Sequence, residues 1–169
     1  MTERLFVRDL MSVGVSTCKL ETPVSNIVRL FLEEQLEGLI VLDDEGHAAG
    51  AISQDELLRA YARDDRLELT AEAIMCDSVP QVPPDIPLAA AAQLMQDQGV
   101  RVAFVMHHTA GTVYPAAVIT YQHFLRHFAA ADDDELSDLG IRAARRSPLE
   151  TFIQKRDAAR RNHQYPHQE

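Results

Sequence analysis

Two short stretches hold the residues best suited to chemistry. "GAISQDELL" runs from Gly50 to Leu58, and "AAVITYQHFL" from Ala116 to Leu125. Each has a short apolar run, one hydroxyl residue and then the start of an amphipathic segment. After Ser53 come two carboxylates, Asp55 and Glu56; after Thr120 the matching places hold Gln122 and His123. A hydroxyl at the end of a strand, just before a helix, can cap that helix or touch a phosphate, and the free N–H groups of the helix start favour anions. An ionised carboxylate there can accept two neighbouring hydroxyls at once, a fork that neutral side chains copy poorly. A plainer reading stands beside this one: Ser53 and Asp55 simply open a helix as N-cap residues.

The other reactive side chains carry less. His123 and His127 fall on one helical face, and His107 and His108 are adjacent in what reads as a loop. A helical His pair needs a third ligand and supporting hydrogen bonds before it holds a metal, so surface or partly buried imidazoles are the default and no metal is expected. His123 also reads as a pH-sensitive phosphate contact. Cys18 and Cys76 sit in no metal-ligand spacing and read as semi-buried reduced thiols. Arg101, Arg59 and Arg63 have forks that suit phosphate, although Arg59 and Arg63 fit solvated helix faces better. No serine–histidine, cysteine–histidine, paired-acid or phosphate-loop constellation has credible spacing, so an independent enzyme is not expected.

The elements that must position these residues occur twice. Set "DLMSVGVSTCKLETPVSNIVRLFLEE" beside "AIMCDSVPQVPPDIPLAAAAQLMQDQ": Met11 falls on Met75, Pro23 on Pro87, Val24 on Leu88, Leu30 on Leu94 and Phe31 on Met95, at one offset. "LIVLDD" then falls on "AFVMHH", and Ser53 on Thr120 once the second loop, around "HHTAGTVYP", is three residues longer. The chain thus holds two copies of one unit of about sixty residues, joined by the charged "RDDRLEL" at Arg63–Leu69. In the first copy Val24, Ile27, Val28 and Phe31 recur at helical spacing, with Thr22 as N-cap and Pro23 in the first helical position. "GLIVL" and "AAGAI" read as strands around a "DDEGH" turn, and "DELLRAYAR" as a second helix. The second copy repeats this with a helix from Pro87, strands "VAFVM" and "PAAVI", and the helix "YQHFLRHFAA". One unit alone buries too little, so the two are expected to share a core.

Composition sets the outer bounds. The chain has 169 residues, 46% hydrophobic and 25% charged, ordinary for a globular protein. No apolar run approaches the roughly 18 residues of a membrane span, and "MTERLFVRDLM" shows no secretory signal, so a cytoplasmic location is expected. The net charge of −10 argues against nucleic acid as a partner.

A helix–strand–strand–helix unit present twice, with Met ahead of its first strand and a Gly–apolar–apolar–Ser/Thr–x–x–acid ending, resembles a tandem pair of CBS domains, the Bateman module. The resemblance covers Val7 to Ala130. It implies an α+β fold of two β-α-β-β-α units packed as an intramolecular pseudo-dimer, plus C-terminal helices. The domains are then 7–63 and 71–130, with a linker at 64–70, a helical extension at 131–162 and a disordered tail at 163–169. It also implies clefts between the two units that bind an adenine nucleotide (AMP, ADP or ATP) or S-adenosylmethionine, pairing into a homodimer, and an unidentified partner protein whose activity responds. The segments that would cradle the base are Val15 to Thr17 and Val79 to Gln81. Ahead of the middle strands stand Gly38 and Leu39, then Val102 and Ala103. The ribose-holding signature, a hydroxyl with an acid three places on, becomes Ser53 with Glu56 in the first unit and Thr120 with His123 in the second. Here the chain departs from the family pattern. Glu56 is one methylene longer than the usual Asp and has Asp55 beside it; the second unit offers no carboxylate; and both units lack the proline that commonly precedes the middle strand's valine. One competent ribose site, in the first unit, is therefore expected. The rival expectation is a ligand-independent scaffold that keeps the fold.

Beyond the repeat, the acidic run "ADDDELSD" is followed by a basic stretch, Arg142 to Arg161, with seven Arg/Lys against two acids. Ser147, Pro148 and Glu150 read as a capping box opening a helix with Leu149, Phe152 and Ile153 on one stripe. That helix is expected to pack on the module or on a twin, or to bind a partner; membrane contact is not expected.

Overall fold

The run Gly38–Leu42 is buried at every position, as a strand covered on both faces requires. It is the middle strand of one of two three-stranded sheets. The computed structural model describes residues 5–109, 112–130 and 152–158. In chain order the elements are α1 (Val7–Leu10), β1 (Ser12–Val13), β2 (Thr17–Lys19), α2 (Val24–Glu33), β3 (Gly38–Leu42), β4 (Ala48–Ser53) and α3 (Gln54–Tyr61). There follow α4 (Ala71–Ile74), α5 (Leu88–Asp97), β5 (Val102–Thr109), β6 (Thr112–Thr120) and α6 (Tyr121–Ala129). A further helical segment spans 152–158.

Two compact units emerge. The first holds Val15–Val79 together with the 152–158 segment; the second joins the described residues up to Gly14 with those from Pro80. In the first, β2 runs parallel to β3 and β3 antiparallel to β4. In the second, β1 and β5 both pair antiparallel with β6. The compact units are offset from the sequence copies. The leader of the first copy, α1 and β1, belongs to the sheet of the second copy, where Ser12 pairs with Val118. The leader of the second copy, α4 and Cys76, belongs to the first sheet, where Cys76 and Ala51 exchange N–H···O=C bonds of 2.9 and 3.0 Å. The apolar cores record the same exchange. Val7 and Leu10 of α1 are buried with Leu88, Met95 and Ile119, whereas Ala71 of α4 is buried with Ile27, Phe31 and Ile52. The chain leaves the second unit at Gly14, whose φ of 91° lies in the region glycine favours and whose N–H donates to the Ala116 carbonyl at 2.8 Å.

Several local expectations need correction. Helix α2 begins one residue late: Pro23 is the N-cap, and the Thr22 hydroxyl accepts instead from the Lys19 N–H at 3.1 Å, closing the preceding turn. Helix α3 starts at Gln54, not Asp55, and ends at Tyr61, two residues short of Arg63. His107 and His108 lie in β5 rather than in a loop, opposite Tyr114 and Val113, because the hairpin continues past a register shift at Val105/Met106. Cys18 is buried and Cys76 exposed, so one thiol, not both, is enclosed; burial pushes the Cys18 thiol up to about 12. Leu69 ends the charged linker by burying its side chain beside Val24 and Ala60. Of the expected C-terminal helices, only 152–158 falls among the described residues; Ser147, Pro148, Leu149 and Glu150 lie outside them, as does the 163–169 tail.

Candidate functional site

Strand register aligns the expected site residues within each unit. Thr17 lies opposite Ile40 in the parallel pair, and the Ile40 N–H donates to the Ser16 carbonyl at 3.1 Å, so Val15 lies level with Gly38. Gly38 lies opposite Ser53 and Leu39 opposite Ile52. Val15, Gly38 and Ser53 thus form a row at one end of the first sheet, with Asp55 and Glu56 opening α3 beside it. The second unit repeats the row. Gln81 bridges to Phe104, which puts Val79 level with Val102, and Val102 lies opposite Thr120, with His123 one turn on. Val15, Gly38, Leu39, Val102 and Ala103 are buried, while Gln81 is exposed and Val79 half-buried.

At the β4–α3 junction the acid is already engaged. Ser53 is the N-cap: its hydroxyl oxygen accepts from the Asp55 N–H at 3.2 Å. The Glu56 Oε2 accepts the Ser53 N–H at 2.8 Å and also takes the Ser53 hydroxyl proton. This is a reciprocal capping box. The other carboxylate oxygen, Oε1, faces Arg59 Nη2 at 3.1 Å. The half-buried Asp55 carboxylate makes no hydrogen bond or ion pair among the described residues.

At the β6–α6 junction an imidazole does the same work. His123, 8% exposed, accepts the Thr120 N–H on Nδ1 at 3.0 Å, with the Thr120 hydroxyl also at 3.0 Å. Nε2 lies 2.8 Å from Ser12 Oγ. An Nδ1 that accepts from a backbone N–H carries no proton, so the neutral ring holds its proton on Nε2 and donates it to Ser12. The Ser12–His123 pair, 111 residues apart in sequence, was invisible to spacing. Its tautomer is the reverse of the one that would draw a proton from a serine nucleophile. Burial, with the Arg126 charge adding to it, lowers the His123 pKa to about 4. The neighbouring imidazole four residues on, His127, is half-buried. Among the described residues no group of three or more His, Cys, Asp or Glu is placed to hold a metal.

The base-cradling segment of the first unit has its own polar features. Thr17 is buried, and its Oγ1 has no hydrogen-bond partner among the described residues. Ser16, also buried, donates its hydroxyl to Glu34 Oε2 at 2.6 Å. No sequence motif marks either arrangement.

The CBS domain family model matches residues 7–63 and 71–130, well over half of the chain. The chain belongs to the CBS domain family. Both CBS units show the β-α-β-β-α pattern once the exchanged leaders are counted. Solved structures share the fold. A conserved protein from Pyrococcus horikoshii is 17% identical with a TM-score of 0.65, over 79% of this chain and 98% of that one. The CBS domain pair of protein MJ0100, solved with 5′-methylthioadenosine and S-adenosyl-L-methionine, is 19% identical (TM-score 0.65, 74% and 96% covered). CBSX2, solved with AMP, is 22% identical (TM-score 0.59, 73% and 95% covered). No curated protein matches the sequence at a significant level. Among the described residues, no helix is long and apolar enough to cross a membrane.

Proposed function

We propose that this chain is a regulatory module that binds an adenosine ligand of the AMP, ADP or ATP type and passes the event to a partner protein. The ligand sits at the Val15–Gly38–Ser53 row of the first unit. The observation that carries this reading is the buried Thr17 hydroxyl, which has no partner among the described residues. Leaving such a group unsatisfied costs about 1–3 kcal/mol, which a ligand atom seated against the cradle would recover. The Asp55 carboxylate, unpaired among the described residues, lies beside the row and supports a ribose contact, and CBSX2 and the MJ0100 pair were solved with adenosine compounds. Glu56 joins by exchanging the Ser53 hydroxyl for a ribose hydroxyl while keeping the backbone N–H. His123 is neutral and already bonded on both nitrogens, which favours a single competent ribose site.

Calorimetry of the full chain with AMP, ADP and ATP tests this. One site per chain is expected, and Asp55→Asn with Glu56→Gln should weaken it about tenfold or more, since a hydrogen bond to a charged group contributes roughly 1.5–3 kcal/mol. Two equal tight sites, or affinity untouched by the double change, defeat the reading. A second reading, a scaffold without ligand, is favoured by one observation: Glu56 and His123 are both already bonded to the N–H of the residue that caps their helix. Thermal unfolding separates the two, because millimolar nucleotide stabilises a sensor by mass action and leaves a scaffold's transition unmoved.

A further inference from the structure

In the first unit, Arg59 and Arg63, whose forks suit a phosphate, are already spent on carboxylates. Arg59 Nη2 faces Glu56 Oε1 at 3.1 Å. Arg63 grips Asp65 through two bonds, Nε to Oδ1 at 2.8 Å and Nη2 to Oδ2 at 2.7 Å. Arg29 belongs to α2, which covers the opposite face of the sheet: Cys18, Leu39 and Val41 pack there on Ile27 and Phe31, so Thr17 and Gly38 face away from it. At the start of α3 the Asp55 N–H is taken by Ser53 Oγ, and two carboxylates occupy the first turn, where the helix end would otherwise favour an incoming anion. A ribose hydroxyl that displaces Ser53 from Glu56 frees one neutral donor, which does not balance two charges. Exposure widens the imbalance. The Glu56 side chain is 12% exposed and that of Arg59 74%, so salt screens the cation more than the anion. The surroundings carry the same sign. Val15–Val79 holds fourteen Asp and Glu against five Lys and Arg, whereas residues 5–14 and 80–130 hold three of each.

Resting on the adenosine reading above, we propose that the first-unit site grades adenosine ligands by charge, taking the uncharged nucleoside and AMP ahead of ADP, and ADP ahead of ATP. Thr17, 3% exposed and with its hydroxyl unpartnered among the described residues, marks the face on which a ligand settles. Asp55 and Glu56 at the end of the row meet the ribose hydroxyls. The phosphates hang from the same sugar, a tether too short to carry them clear of both carboxylates. Repulsion between like charges about 7 Å apart costs about threefold in affinity for each added phosphate at low salt, and salt weakens it. The two acids that recognise the sugar are thus also the filter against its polyphosphates.

The test is calorimetry of the full chain with adenosine, AMP, ADP and ATP in metal-free buffer, at about 20 mM and about 500 mM salt. At low salt ATP should bind about tenfold more weakly than AMP, and adenosine at least as tightly as AMP; high salt should close most of the gap. Asp55→Asn should weaken every ligand yet shrink the AMP-to-ATP ratio about threefold, a change that a merely structural role would not produce. ATP as tight as AMP at low salt, or a ratio unmoved by salt or by Asp55→Asn, overturns the grading while leaving the adenosine site standing. Absence of binding by all four ligands overturns the adenosine reading and this inference with it. Should Asp55→Asn bind nothing, the salt series on the wild type decides alone.

Discussion

At the residue scale, Glu56 and His123 hold the same post in two copies. Each sits three residues after a hydroxyl N-cap and accepts that residue's N–H. The carboxylate does so as an anion with Arg59 alongside; the imidazole does so only while neutral. That difference has a pH signature. In the unfolded chain His123 titrates near 6.5, and in the folded chain near 4. Between those values the unfolded state binds more protons, so stability rises with pH. The contribution is fully present above about pH 6.5 and is lost as pH falls towards 4, by about 3 kcal/mol over the window. His123→Gln keeps an acceptor for the Thr120 N–H, since Gln suits this place in a capping box. Urea unfolding of the two proteins at pH 7 and pH 4.5 should show a smaller loss in the variant; parallel losses refute the assignment.

At the element scale, the close approach of the Met75–Cys76 leader to β4 depends on Gly50. A Cβ there would meet the Cys76 carbonyl oxygen at 2.6 Å and the Met75 sulfur at 2.8 Å. Gly50→Ala should therefore cost about 1–3 kcal/mol, read as a lower urea midpoint at unchanged slope. Elements with a periodic or continuous apolar pattern were legible in the sequence. Val24, Ile27 and Phe31 are the buried face of α2, and Gly38–Leu42 is the buried strand. The four-residue α1 and α4 were not, because a single turn is too short to show a period. Nor was the sheet each leader joins, since local pattern says nothing about pairing partners distant in sequence. The repeat did place Val15, Gly38 and Ser53, and likewise Val79, Val102 and Thr120, at matching positions that the strand register brings level. It could not tell a capping Glu56 from a ligand-holding one, because the same hydroxyl–x–x–acid spacing serves both.

At the scale of the whole molecule, helix α6 leaves Leu125 and Phe128 60% and 91% exposed, one face of apolar side chains on an otherwise amphipathic helix. Pairing of two copies through this face would give the homodimer that the family resemblance leads one to expect. Sedimentation should report a dimer for the wild type and a monomer for Phe128→Asp; an unchanged mass for the variant places self-association elsewhere. The traded leaders have a consequence for cutting the chain: severed between the copies, each piece would keep a leader whose pairing partner is on the other piece and would lack the leader that pairs with its own sheet.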